Sequence, residues 1–278
     1  MRTGHELIAD IDAARVDPGT VAFWWLGQHS FVLKMGPAIL YVDPFLTPIA
    51  ERLVPPLVSP AQMAHARLVL GTHDHGDHID RAAWPDVARA GRATFVVPSL
   101  VRDSIVRDLE IPEERVVGVD DGTSATVDGV RITGVAGAHE FLDRDPETGR
   151  YPWLGYVIEA GGCRVYHAGD TIKYEGLETR LKAHRPIDLA LLPINGRDAA
   201  RTEQGTIGNM TYQEAVDLAG AIKPRLTIPT HYDMFAGNLE DPQLFLDYLR
   251  VKYPELRSRI CRYGEQVQLD CRKQEEGS

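Results

Sequence analysis

Short apolar runs broken by small and polar residues dominate this chain, and they read as strands rather than helices. Residues 21–26, 30–34 and 38–42 follow one another across tight turns, the first at Gly27-Gln28-His29, which predicts an antiparallel meander. The run at 66–70 reads as a buried strand, and further strands are expected at 93–97, 115–119, 124–127 and 130–136. Residues 154–160 and 163–167 predict a hairpin over Gly161-Gly162. Later strands fall at 188–192, 226–229 and 266–270. Helices are predicted over 6–16, where Asp10 and Asp12 share a polar face and Asp17-Pro18-Gly19 ends the run, over 81–90, and from a Ser99 cap to 109. Others are expected over 176–184, from Thr211 to 222 with Glu214 completing a capping box, and over 242–252. Pro48, Pro55, Pro56 and Pro60 exclude regular structure from 45–60, which reads as a loop beside the site, with Phe45 and Leu46 offering apolar contact. Residues 193–209 also read as loop, and Lys273 to Ser278 as a polar tail. Meander plus helices, repeated, suggests an α/β protein forming a single domain over 1–278.

The densest chemistry lies in Thr72-His73-Asp74-His75-Gly76-Asp77-His78, directly after the strand at 66–70. Three of the chain's 10 histidines fall in these seven residues, too many for an ordinary polar loop. Imidazole nitrogen and carboxylate oxygen suit Zn, Mn or Fe. His73 and His75 share a side of an extended segment, and Asp77 and His78 lie past Gly76, where the chain turns toward a second metal position. Gly71 and Gly76 are expected to let the chain turn at each end of the cluster. His139, Asp170 and His231 each follow an apolar strand and a small residue or turn, so strand ends on one rim would bring them to the same place.

The His-x-His-x-Asp-His pattern after a hydrophobic strand resembles the signature of the metallo-β-lactamase fold hydrolases, and the resemblance covers nearly the whole chain. The stretches Phe23 to Gly27, Thr72 to Asp80, Tyr166 to Thr171 and Thr230 to Phe235 look most like the ascorbate-6-phosphate lactonase branch. The resemblance implies a four-layer αββα sandwich made of two similar halves. It also implies one metal position from His73, His75 and His139, another from Asp77, His78 and His231, and Asp170 bridging them. One or two divalent ions, Zn or Mn, would lower the pKa of bound water toward ~7. Asp77 is the carboxylate expected to orient that water or carry its proton. Asp43 and His29 are expected to support the ligands from behind. Asn195 and Arg197, in the loop after the strand at 188–192, and Tyr232 are candidates for substrate contact. The expected reaction is hydrolysis of a small ester-like substrate, a sugar lactone with or without a phosphate. A phosphodiesterase acting on a cyclic nucleotide or similar small phosphodiester is the alternative.

A net charge of −10 offers no basic field for nucleic acid, and a small-molecule substrate is the expected partner. No apolar run reaches the ~20 residues of a membrane span. The start, Met1 to Glu6, lacks the apolar core of a signal peptide. Cys163, Cys261 and Cys271 are odd in number and widely spaced, so free thiols in a reducing, cytoplasmic setting are expected. A homo-oligomer is the assembly the resemblance implies.

Overall fold

The computed structural model describes residues 1–272, so the polar tail from Lys273 lies outside the described residues. Among the described residues, thirteen strands form two mixed sheets. The strands are β1 (Thr20–Gly27), β2 (Ser30–Met35), β3 (Ala38–Val42), β4 (Leu68–Leu70), β5 (Thr94–Pro98), β6 (Val116–Val119), β7 (Ser124–Val127), β8 (Val130–Ala136), β9 (Leu154–Ala160), β10 (Cys163–His167), β11 (Leu189–Pro193), β12 (Leu226–Thr230) and β13 (Gln266–Asp270). One sheet runs β13-β1-β2-β3-β4-β5-β6 and the other β12-β11-β10-β9-β8-β7. In each, an antiparallel meander passes into parallel strands: β1 to β3 lead to β4, β5 and β6, and β7 to β10 lead to β11 and β12. This is the doubled plan that the resemblance implied. Strand β13 then returns to pair with β1.

Both faces of the first sheet are covered, as the near-continuous apolar runs require. Along β1, Val21, Phe23 and Trp25 enter the core between the sheets, whereas Ala22, Trp24 and Leu26 pack outward with Leu7, Ile11, Trp84 and Ile105. Those four belong to or adjoin the helices α1 (Gly4–Ala13), α2 (Trp84–Ala90) and α3 (Arg102–Leu109). The second sheet is covered by α4 (Leu177–Lys182), α6 (Tyr212–Ile222) and α7 (Pro242–Lys252), through Leu177, Val216 and Phe245 among others. The layers are therefore helix, sheet, sheet, helix.

Three local expectations change. Ser99 does not cap α3, whose N-cap is Val101 with no side-chain bond. The loop at 193–209 contains a short helix, α5 (Ala199–Glu203), because the Asp198 carboxylate accepts from Arg201 N at 2.9 Å and nucleates it. Cys163 and Cys271 are joined in a disulfide, leaving Cys261 as the buried free thiol. Gly19 explains the pairing: its N–H donates to Gly161 O at 2.6 Å and its carbonyl accepts from Cys271 N at 2.7 Å. One backbone residue thus brings the β9–β10 turn beside the end of β13. The free-thiol argument for a reducing setting falls with it. Among the described residues, no helix is long and apolar enough to cross a membrane.

Candidate metal centre

The C-terminal ends of β1, β3, β4, β8, β10 and β12 meet on one rim, and each delivers a polar side chain to the same place. The two sheets are tied there by Leu154 N–H donating to Thr72 O at 3.1 Å and by the Tyr156 hydroxyl donating to Gly71 O at 2.7 Å. Gly71 contributes space rather than a turn. A Cβ at that position would stand 2.4 Å from Ile79 and 2.8 Å from the Trp84 ring, so only glycine lets the loop fold back onto α2. Gly169 has φ +60°, and a Cβ there would meet Leu154 O at 2.4 Å, so it fixes the chain that carries Asp170 close against β9. Left-handed backbone also occurs at Gln28, Asp43 and His231, three residues of this rim, where surrounding hydrogen bonds hold it.

All seven expected ligands lie at this rim, and five of them, His73, Asp77, His78, Asp170 and His231, bring donor atoms together in cation-sized groups, whereas His75 and His139 approach through their rings. His78 Nε2 lies 3.5 Å from Asp77 Oδ2 and 3.3 Å from Asp170 Oδ1. His231 Nε2 lies 3.7 Å and 3.2 Å from the same two oxygens. Donors bound at ~2.1 Å around one tetrahedral ion stand roughly 3.4 Å apart, which is the spacing observed. His73, His78 and Asp170 each offer a donor atom within 4.8 Å of the others, which puts Asp170 between the two groups. The His75 and His139 rings pack on the other side of His73, with centroids 4.7 and 5.8 Å from it. The buried atoms His73 Nε2, His78 Nε2 and Asp170 Oδ1 have no hydrogen-bond partner. Buried polar atoms left in this state are costly unless something else satisfies them, and a divalent cation fits both their chemistry and their spacing.

Electrostatics give the same answer. Burial alone would push the His78 imidazole down, but Asp170, Asp77 and Asp43 outweigh it and lift His78 to about 10. Burial would raise Asp170, yet His231 and His78 hold its carboxyl well below the usual range. Burial lowers His73 well below the ordinary imidazole value, and lowers His75 and His139 as well. The acidic half of the centre therefore calls for positive charge, and burial in the imidazole half favours the neutral form of its rings.

A second layer holds the ligands. Asp43, as expected from sequence, accepts from His78 Nδ1–H at 2.6 Å and from Thr72 N and Oγ1 at 2.8 and 2.7 Å. With its proton given to Asp43, Thr72 Oγ1 accepts from His73 Nδ1–H at 3.0 Å and leaves Nε2 facing the centre. His29, expected to support the ligands, does so through ring packing alone: it is fully buried against His167 with centroids 3.9 Å apart and tilted by 35°, lies 6.1 and 6.0 Å from the His78 and His231 rings, and has no hydrogen-bond partner on either ring nitrogen. Its carbonyl accepts from His167 Nε2–H at 2.8 Å.

Sequence reasoning missed three residues here. The Gln28 side-chain amide donates to Asp77 Oδ2 at 2.8 Å and lies 3.1 Å from His231 Nε2. Thr72 links two ligands to Asp43, as above. Trp153 packs on His73, His75 and His139 with centroids 4.9, 5.0 and 4.9 Å away. None of the three belongs to the usual ligand types, so composition and spacing gave no signal.

The expected substrate residues are placed differently. The Arg197 guanidinium is engaged in a two-pronged pair with Glu214, at 2.6 and 2.7 Å, and also donates to Asn209 O. It ties the loop to the start of α6 instead of offering a free cation. Asn195 is fully buried and bonded to Asn238 and Asn209. Tyr232 is buried, its ring 5.3 Å from that of Trp25. These two brace the rim from within.

Residues 39–232 match the Beta-lactamase superfamily domain. A UPF0173 metal-dependent hydrolase of Thermococcus onnurineus (strain NA1) is 34% identical over 221 residues, covering 80% of this chain and 88% of its own. Another of that name, from Thermococcus kodakarensis, is 30% identical over 245 residues, covering 88% and 98%. Among solved structures, Igni18, a novel metallo hydrolase from the archaeon Ignicoccus hospitalis, is similar with a TM-score of 0.71 over 90% of this chain and 98% of that one. At 22% identity that likeness speaks for the fold alone. The pattern read from the sequence, the layered fold and the converging ligands thus meet in one family: the chain belongs to the metallo-β-lactamase superfamily and, within it, to the UPF0173 metal-dependent hydrolases.

Proposed function

We propose that the protein hydrolyses a small ester-like substrate, a cyclic ester being the first candidate, at a centre holding one or two divalent ions. The observation that carries this is the set of buried, unpartnered donor atoms on His73, His78 and Asp170, spaced as ligands of a cation. His73, His75 and His139 would hold one position, and Asp77, His78 and His231 the other, with Asp170 shared. Bound there, a divalent ion supplies water of near-neutral pKa and polarises the oxygen under attack.

The chain's own residues do the rest. Gln28 fixes the Asp77 carboxylate by donating to Oδ2, which leaves Oδ1 to orient water or accept its proton. Asp43 and Thr72 fix the ring planes of His78 and His73. Hydrolysis adds hydroxyl to the acyl carbon, breaks its bond to the leaving oxygen, and returns a proton to that oxygen. Asp77 would carry that proton.

The phosphodiesterase alternative draws support from the shared Asp170, because two adjacent ions suit in-line displacement at phosphorus. Assays of metal-loaded protein on γ- and δ-lactones, simple aryl esters and bis(p-nitrophenyl) phosphate separate the two. Turnover of the carboxylic esters or lactones, abolished by chelation, is the expected result. Turnover confined to the phosphodiester would overturn it.

A further inference from the structure

Building on the hydrolase reading, we infer that the substrate carries an uncharged apolar arm, aryl or branched alkyl, next to the bond that is cut, and that Phe45, Ile49 and Phe235 select for it. A cavity of about 410 Å³ opens on Asp77, the carboxylate placed at the chemistry. Its walls include Phe45 and Phe235, whose ring centroids are 6.2 Å apart, and Ile49, which is 39% exposed. Two loops build these walls. Phe45 and Ile49 come from the proline-rich segment after Asp43, and Phe235 from the segment after His231, and the two are joined by the bridge between Arg52 and Phe235. The strand ends that deliver Asp43 and His231 thus also deliver the apolar wall.

The charged groups around this cavity are already committed. Arg81 gives Nε and Nη2 to Asp74 at 2.8 and 2.7 Å, and also reaches Ser104 and Asp108. Arg52 donates to the carbonyls of Val54, Phe45 and Thr47 and lies over the Phe45 ring at 4.1 Å. Asp80 accepts from the backbone N–H groups of Leu46 and Thr47 and from the Thr47 hydroxyl, so it shapes the loop rather than the ligand. A phosphate or carboxylate arm seated here would lose its water against two phenyl rings, with the Asp80 carboxylate nearby and both neighbouring guanidinium groups bonded elsewhere, while any cation held through Asp77 would serve the reacting oxygens. Desolvating an ion with no partner is costly, whereas an aryl or alkyl group gains from the same surface. An added apolar group in such a pocket is worth roughly 10- to 200-fold in selectivity.

The test uses metal-loaded full-length protein and matched γ-lactones that differ only in the side arm: methyl, phenylethyl or carboxyethyl. The wild type should favour phenylethyl over carboxyethyl by at least ~10-fold in kcat/KM. Phe235→Ala should reduce the phenylethyl preference over methyl about tenfold, chiefly through KM, with metal content unchanged. Ile49→Arg, at a position 39% exposed, should shift the preference toward carboxyethyl. Equal use of the three arms, or selectivity unmoved in both variants, overturns the inference and leaves the hydrolase reading intact. Binding of the non-hydrolysable 4-phenyl-2-butanone, followed by ligand-observed NMR, separates the opposite case. Phe235-dependent binding without turnover of any lactone or ester supports the apolar cavity and sinks the hydrolase reading. No Phe235-dependent binding and no turnover overturns both.

Discussion

The two halves of the candidate metal centre are built from different materials. Around Asp77, His78, Asp170 and His231, carboxylates alternate with imidazoles, and outer partners fix the orientation: Asp43 on His78 and Gln28 on Asp77. Around His73, His75 and His139, three imidazoles stand together with the Trp153 ring against all of them. Negative charge prepares the first half for a cation. The second is prepared by burial, which lowers its imidazoles and so favours the neutral, donating form. A single fold rim thus reaches the same end by opposite electrostatic routes, joined at Asp170.

The comparison breaks most completely at the shared residue. Asp170→Ala is expected to weaken metal binding at both positions by more than the ~100-fold that outer partners contribute, with activity lost, as read by metal titration and lactone turnover. Asp43→Ala acts on the acidic half through His78, and on His73 only through Thr72. A loss of ~10- to 100-fold in metal affinity or kcat is expected, and Asp43→Asn should restore part of it by accepting through its amide oxygen.

Proton uptake sharpens the contrast. A cation entering the acidic half must displace the proton that Asp170, Asp77 and Asp43 keep on His78, whose value is raised to about 10. Between pH 8 and 6 that proton is present before binding, so metal affinity falls as pH falls, about tenfold per unit for each proton displaced. The imidazole half has its histidines lowered by burial, so fewer protons are displaced there and its affinity should fall less steeply over the same range. Calorimetry in buffers of different ionisation enthalpy reads the difference as protons released. Trp153→Ala should touch only the imidazole half, loosening it by about tenfold, the low end for outer partners, through access of water to the ligands.

The smallest effect on the centre is expected from Cys163→Ser. Cys163 begins β10 and His167 ends it, so the bridge lies roughly 13 Å along the strand from the rim. It closes a loop with a sequence separation of 108, and its loss should lower global stability by about 2–5 kcal/mol while metal content holds. Denaturation curves and elemental analysis of the same sample check both parts.

The sequence revealed most where one segment carries its own pattern. Strands buried on both faces appear as unbroken apolar runs, the Thr211–Glu214 box announces α6, and His73 to His78 states its chemistry in seven residues. It revealed least where two distant segments must meet. The Cys163–Cys271 pair depends on backbone bonds to Gly19, which no Cys spacing encodes. Trp153 and Gln28 reach the ligands only once the sheets are stacked. Arg197 reads as a candidate for substrate contact because nothing in its own loop marks Glu214, in the next helix, as its partner; in the structure Glu214 serves both the capping box and that pair.

The most direct test is elemental analysis of the purified chain, loaded with Zn or Mn and dialysed, beside Asp170→Ala treated identically. The account expects one or two divalent ions per chain in the wild type, and a fall to background in the variant with its fold intact by circular dichroism. Equal metal retention in the two proteins would contradict it.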